Sequence, residues 1–202
     1  MLDATIERNI SYSGSCVAYA QSVDLPHYTM RFIDNQGVGE PDIVIIHGGT
    51  NDWAKNKAPL YGSVSMQATS GPSDADLAPL FSTAEAATTR KAVEALDDTT
   101  FCTAYIKLIE LILERRADTK IVCIVGDYTG VGVQQSIHKI AAHYPDNARV
   151  VDLLAVNGFN DQVYMPKHDY NPETGKGCHP SAKAMVFMAN KIYEELGAWL
   201  EE

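Results

Sequence analysis

One run constrains this chain more than any other: Pro41-Asp42-Ile43-Val44-Ile45-Ile46-His47-Gly48-Gly49-Thr50-Asn51-Asp52. Ile43 to Ile46 are consecutive β-branched residues, the pattern of a strand buried on both faces of a parallel sheet. The strand passes directly into a glycine pair and then into polar side chains. Ligands of open α/β sheets sit beyond the carboxyl ends of the strands, so Thr50, Asn51 and Asp52 fall at the rim of a site. A carboxamide at that rim can aim its N–H at a developing negative charge. Gly, Asn and Asp are also common turn residues, and the run by itself reads equally well as a turn.

The rest of the chain repeats the strand-to-helix alternation. Ile121-Val122-Cys123-Ile124-Val125 is a second buried strand, and Arg149-Val150-Val151-Asp152-Leu153-Leu154 a third. Between the first and second strands, Phe101, Tyr105, Leu108, Leu111 and Ile112 share one helical face while Glu110, Glu114 and Arg115 lie largely on the other. Gln134 to Tyr144 continues as a helix that stops at Pro145. A closing helix starts at Pro180, where the missing N–H costs nothing, and carries a core stripe of Ala184, Phe187, Met188, Ile192, Leu196 and Leu200. Such alternation predicts one domain over 1–202, with a parallel sheet covered on both faces. Residues 4–12 read as a weak strand and Cys16 to Ser22 as a short helix. Trp53 to about Arg90 reads as a long polar loop over the site entrance, with Trp53 and Tyr61 as substrate contacts or loop anchors.

Charge and cysteine usage exclude several classes. A formal net charge of −10 on 202 residues argues against a nucleic-acid groove and against binding to anionic membranes. No apolar run approaches a membrane span. Cys16, Cys102, Cys123 and Cys178 show no Cys-x-x-Cys spacing, so buried free thiols are expected. His47, His168, Asp52 and Asp169 have no metal-ligand spacing, and no metal is expected. Gly126-Asp127-Tyr128-Thr129-Gly130-Val131-Gly132 is glycine-rich between strand and helix. Its order is not Gly-x-Gly-x-x-Gly and no Gly-Lys-Ser/Thr follows, so nucleotide binding is not the reading.

A second stretch, Gly177-Cys178-His179-Pro180-Ser181-Ala182, sets a His just before a helix. With Gly49-Thr50-Asn51-Asp52 it resembles the SGNH (GDSL-type) hydrolase family, whose third block is Gly-x-Asn-Asp and whose fifth carries a catalytic His, usually followed by Pro. The resemblance implies a three-layer α/β/α fold with a mostly parallel, flavodoxin-like sheet. It implies an esterase or lipase-like hydrolase acting on an acyl or acetyl group of a carbohydrate or lipid, without a cofactor. His179 would be the base, and Gly14 and Asn51 the oxyanion hole.

Two departures stand out. No Gly-Asp-Ser nucleophile block exists, so the family's serine is expected upstream of Met1 or lost, or else Ser13 or Ser15 serves as the nucleophile. The family's Asp-x-x-His has Lys176 at its acidic position, so Asp169, Glu173 or a backbone carbonyl would have to orient the imidazole. If Gly14 is the second-block glycine, the family's first strand would lie upstream of Met1. Residues 4–12 are then expected to pair with the strand at 42–47, or a homodimer to fill the gap. The compartment is expected to be cytoplasmic on the sequence as it stands, and secreted or periplasmic if a leader precedes it. A catalytically inactive relative that binds a glycan or a protein is the competing expectation.

Overall fold

The computed structural model describes residues 5–6, 8–11, 14–20, 26–34, 39–126, 129–153 and 182–201. Three parallel strands form the main sheet: β1 (Ile43–His47), β4 (Lys120–Val125) and β5 (Ala148–Asp152), in the order β1-β4-β5. The register runs Ile43↔Lys120 to His47↔Ile124 and Ile121↔Ala148 to Val125↔Asp152. Ile121 to Val125 are all buried, as a central strand with no wet face requires.

Each face of the sheet has its own apolar cluster. On one side Ile46, Ile121, Cys123 and Val125 pack with Phe101, Tyr105 and Ile109 of α5 (Phe101–Arg115) and with Val133 and Ile137 of α6 (Val131–His143). On the other, Val122, Ile124, Val151 and Leu153 meet Met188, Leu196 and Leu200 of α7 (Ala182–Glu201). The result is a three-layer α/β/α fold. At roughly 1.5–3 kcal/mol for each large aliphatic side chain removed from water, these two clusters supply most of what opposes chain entropy.

Between β1 and β4 the chain is more ordered than its polarity suggests. After α2 (Thr50–Lys55) come an antiparallel hairpin, β2 (Pro59–Tyr61) with β3 (Val64–Ser65), then α3 (Asp74–Glu85) and α4 (Arg90–Glu94). The expected loop from Trp53 to Arg90 is therefore corrected to a hairpin and helices. The reason lies in the caps: Ser73 Oγ accepts from Asp76 N–H while Asp76 accepts from Ser73 N–H at 2.8 Å, a reciprocal box that starts α3 inside a polar stretch. Thr100 and Thr103 form the same device ahead of α5. Trp53 and Tyr61 pack against the main core, which makes them anchors of this region.

α5 also departs from expectation. The expected stripe of Phe101, Tyr105, Leu108, Leu111 and Ile112 is buried and Glu110, Glu114 and Arg115 are not, but the burial extends further, to Cys102, Ile106, Lys107 and Ile109, because α1 (Tyr28–Asp34), α3, α4, α6 and the hairpin enclose the helix. At the N-terminus, the described residues among 5–11 form no strand and do not pair with β1, and residues 16–20 form no helix, with a bend at Val17 and Ala18. The expected pairing of residues 4–12 with the strand at 42–47 is thus corrected. Arg8, Asn9 and Ser11 give this segment no apolar face to lay along the sheet, and β1 itself is not buried on both faces as its β-branched run suggests, since Ile45 is 55% exposed.

Candidate functional site

The carboxyl end of β1 turns sharply because two side chains are missing there. A Cβ on Gly48 would come within 2.6 Å of Val17, and Gly49 holds φ at 106°. Gly49 is the N-cap of α2, so Asn51 and Asp52 fall in its first turn, facing the segment from Gly14 to Ala18.

Asp52 builds this corner. Its carboxylate is 3% exposed and accepts from Val17 N–H and Ala18 N–H, each at 2.9 Å. Burial raises its pKa from the ordinary 3.8 to about 6, and the hydrogen bonds from Val17 and Ala18 work against that rise. Beside it, Asn51 Nδ2 donates to the Ser15 carbonyl at 3.1 Å. Lys55 Nζ donates to the Gly14 carbonyl. Gly14 has φ 77°, a left-handed conformation that glycine adopts without strain.

A third element closes the corner from the other side. Tyr28 N–H donates to the Cys16 carbonyl at 3.1 Å, and Tyr28 Oη donates to the His47 carbonyl at 2.7 Å. Arg31 lies over the Tyr28 ring, 4.6 Å from its centroid, and donates to the Ile10 carbonyl and to Ser15 Oγ at 3.0 Å. Burial pushes the Tyr28 hydroxyl up to about 12 and the Cys16 thiol to about 11, so both stay protonated at neutral pH. Desolvation by its neighbours lowers the His47 pKa from the ordinary imidazole value. Its ring lies over Gly126, where a Cβ would sit 2.5 Å from Nε2.

Among the residues expected from sequence, the structure brings Gly14, Ser15 and Asn51 together at the carboxyl end of β1. Ser15 is 3% exposed, with Arg31 on its hydroxyl. His179 and Ser13 lie outside the described residues, as do Lys176, Cys178, Asp169, Glu173 and His168. Tyr28, Arg31 and Lys55 had no role in the sequence reading. Nothing in their local pattern marks them, because each reaches the Gly14–Cys16 backbone from a different element. The glycine-rich segment is explained by packing: Gly126 lies under His47, Gly130 under Trp53, and Gly132 against Leu60.

No family model and no curated protein matches the chain in sequence. Solved structures do match in fold. A candidate GDSL-like lipase from Bacteroides uniformis is 23% identical with a TM-score of 0.56, over 95% of this chain and 70% of that one. A second candidate GDSL-like lipase, from Bacteroides ovatus, is 20% identical with a TM-score of 0.51, over 92% and 68%. A protein from Lactobacillus plantarum is 16% identical with a TM-score of 0.54, over 92% and 78%. These likenesses show the fold alone: the three-layer α/β/α arrangement of this chain is shared with those structures.

Proposed function

We propose that this chain is an ester hydrolase of the SGNH type, cleaving an acyl or acetyl group from a carbohydrate or lipid. The observation that carries the reading is the Asn51 carboxamide held beside Gly14 by its hydrogen bond to the Ser15 carbonyl, 3.1 Å long, at the carboxyl end of a parallel strand. One amide hydrogen is engaged there, and the second is the donor assigned to the oxyanion. In the reaction a serine hydroxyl, from Ser15 or Ser13, attacks the ester carbonyl as His179 takes its proton. The tetrahedral oxyanion rests between Gly14 N–H and the Asn51 amide. Collapse breaks the ester C–O bond, His179 returns the proton to the leaving alcohol, and water repeats the sequence to release the acid.

The state of Ser15 favours a second reading. A hydroxyl that is 3% exposed and carries an Arg31 donor has to be released before it can attack. A non-catalytic relative that binds a glycan or a protein in the same cleft needs no such release.

A fluorophosphonate probe together with p-nitrophenyl acetate separates the two. The hydrolase reading expects stoichiometric labelling, lost in Ser15→Ala or Ser13→Ala, and a fall of roughly 100- to 1,000-fold in kcat/KM for Asn51→Ala. Absence of labelling and turnover leaves the binding reading standing.

A further inference from the structure

α2 sends more than Asn51 toward the segment from Gly14 to Ala18. Asn51, Asp52 and Lys55 stand at positions i, i+1 and i+4 of this short helix, on one face of it, and each ends on a different peptide of the segment. Lys55 Nζ donates to the Gly14 carbonyl and Asn51 Nδ2 to the Ser15 carbonyl at 3.1 Å. The two Asp52 oxygens accept separately, Oδ2 from Val17 N–H and Oδ1 from Ala18 N–H, each at 2.9 Å. The Asn51 contact is thus flanked, by Lys55 one peptide before it and by Asp52 on the N–H groups that follow.

The two flanking side chains are suited to clamping. A carboxylate can accept from two consecutive amides at once, which fixes the rotation of the segment as well as its distance from α2. An ammonium group is a donor only, and its charge makes the bond to a carbonyl stronger than the neutral one that Asn51 makes beside it. Gly14 gives the clamp something to hold. At φ 77° and without a Cβ, this residue crosses between backbone regions at little cost, so its own chain does not keep its N–H in one direction. The Lys55 bond to its carbonyl opposes that rotation.

We propose that Lys55 and Asp52 are positioning residues of the oxyanion site, holding the Gly14–Ala18 segment against α2 so that Gly14 N–H and the second hydrogen of the Asn51 amide stay aimed at one point. The proposal rests on the hydrolase reading for its chemistry and on these hydrogen bonds for its geometry. Neither side chain touches the ester, and both act through Gly14 and Asn51. Oxyanion donors work by being in place before the charge develops, and a displacement of about 1 Å can cost on the order of 100-fold in rate.

A double-mutant cycle on p-nitrophenyl acetate, with rates normalised to phosphonate-titrated sites, tests it. Lys55→Met keeps the aliphatic stem and removes the donor; kcat is expected to fall roughly tenfold with KM little changed. Asp52→Asn leaves one acceptor for two N–H groups, and kcat is expected to fall roughly 10- to 100-fold. In the Asn51→Ala background each loss shrinks to about threefold or less, because a donor they position is gone. Losses of equal size in both backgrounds assign the two residues to stability alone and overturn the proposal, and so does a kcat that ignores both substitutions. Should Asp52→Asn misfold, Lys55→Met carries the cycle.

A second readout needs no turnover. In two-dimensional amide NMR the Asn51 side-chain signals are expected to shift in Lys55→Met and Asp52→Asn while the backbone amides of β4 stay in place. If wild type hydrolyses nothing, the hydrolase reading falls and this signal decides the positioning role: shifted Asn51 signals uphold it, and signals indifferent to both substitutions overturn it.

Discussion

Asp52 and Asp98 are two sheltered acids that hold the same part of the chain in opposite ways. Asp52 grips Val17 and Ala18 by their N–H groups. Asp98 takes Tyr19 N–H on its carbonyl at 2.7 Å, and its carboxylate accepts from His27 at 3.2 Å, Thr29 at 3.0 Å and Lys107 at 2.8 Å. Burial pushes both pKa values up. At Asp98, hydrogen bonds from His27 and Lys107 and the charges behind them overcome burial and pull the carboxyl well below the usual range. At Asp52 the chief helpers are backbone dipoles, and burial wins, giving a pKa of about 6. Dipoles can position a carboxylate, but a full opposite charge is needed to keep it comfortably ionised away from water.

The comparison breaks most visibly at Asp98. Asp98→Ala strands Lys107, whose side chain is only 6% exposed, as a buried cation without its carboxylate. A loss of about 3–5 kcal/mol is expected in urea unfolding at pH 7. Lys107→Met in the same background should recover much of it, because the uncompensated charge is the main cost; failure to recover would assign the loss to the Tyr19 and Thr29 contacts.

Asp52 sharpens the contrast through pH. Its folded pKa is raised, so the folded state binds the proton more tightly than the unfolded chain does. Its stabilising contribution is full below about pH 4 and is lost as pH rises through about 6. Over that window the change is about 3 kcal/mol. Asp98 has the opposite sign: its depressed pKa contributes stability above the usual carboxylate range and loses it as pH falls below. Thermal unfolding of wild type and Asp52→Asn between pH 4 and pH 7 isolates the first slope, which the variant should lack.

The smallest expected effect lies where the two anchors leave the backbone to itself. Gly14→Ala places a Cβ in the left-handed region and should cost about 1–2 kcal/mol in the same unfolding experiment. A neutral result would mean that the Gly14–Cys16 segment relaxes away from Asn51 and Lys55.

Local pattern determined a good deal of this protein. The β-branched run at Ile43–Ile46, the apolar run at Ile121–Val125 and the Pro145 stop each lie within a few residues of the structure they dictate, and period and turn chemistry act at that range. α3 was hidden in a polar stretch because its signal is a cap at Ser73, not an apolar stripe. Gly14 and Asn51 could be named from motif order. That the Asn51 amide meets the Ser15 carbonyl, that Arg31 covers the Ser15 hydroxyl, and that Asp52 is buried under Val17 and Ala18 were decided only by tertiary structure. That β1 has only β4 beside it among the described residues belongs with these, since a buried-strand sequence asks for neighbours on both sides and only the folded chain reveals which neighbour is present. The physical reason is common to all: hydrogen bonding, desolvation and strand pairing between distant segments depend on what the fold brings near, and the residues themselves carry no mark of it.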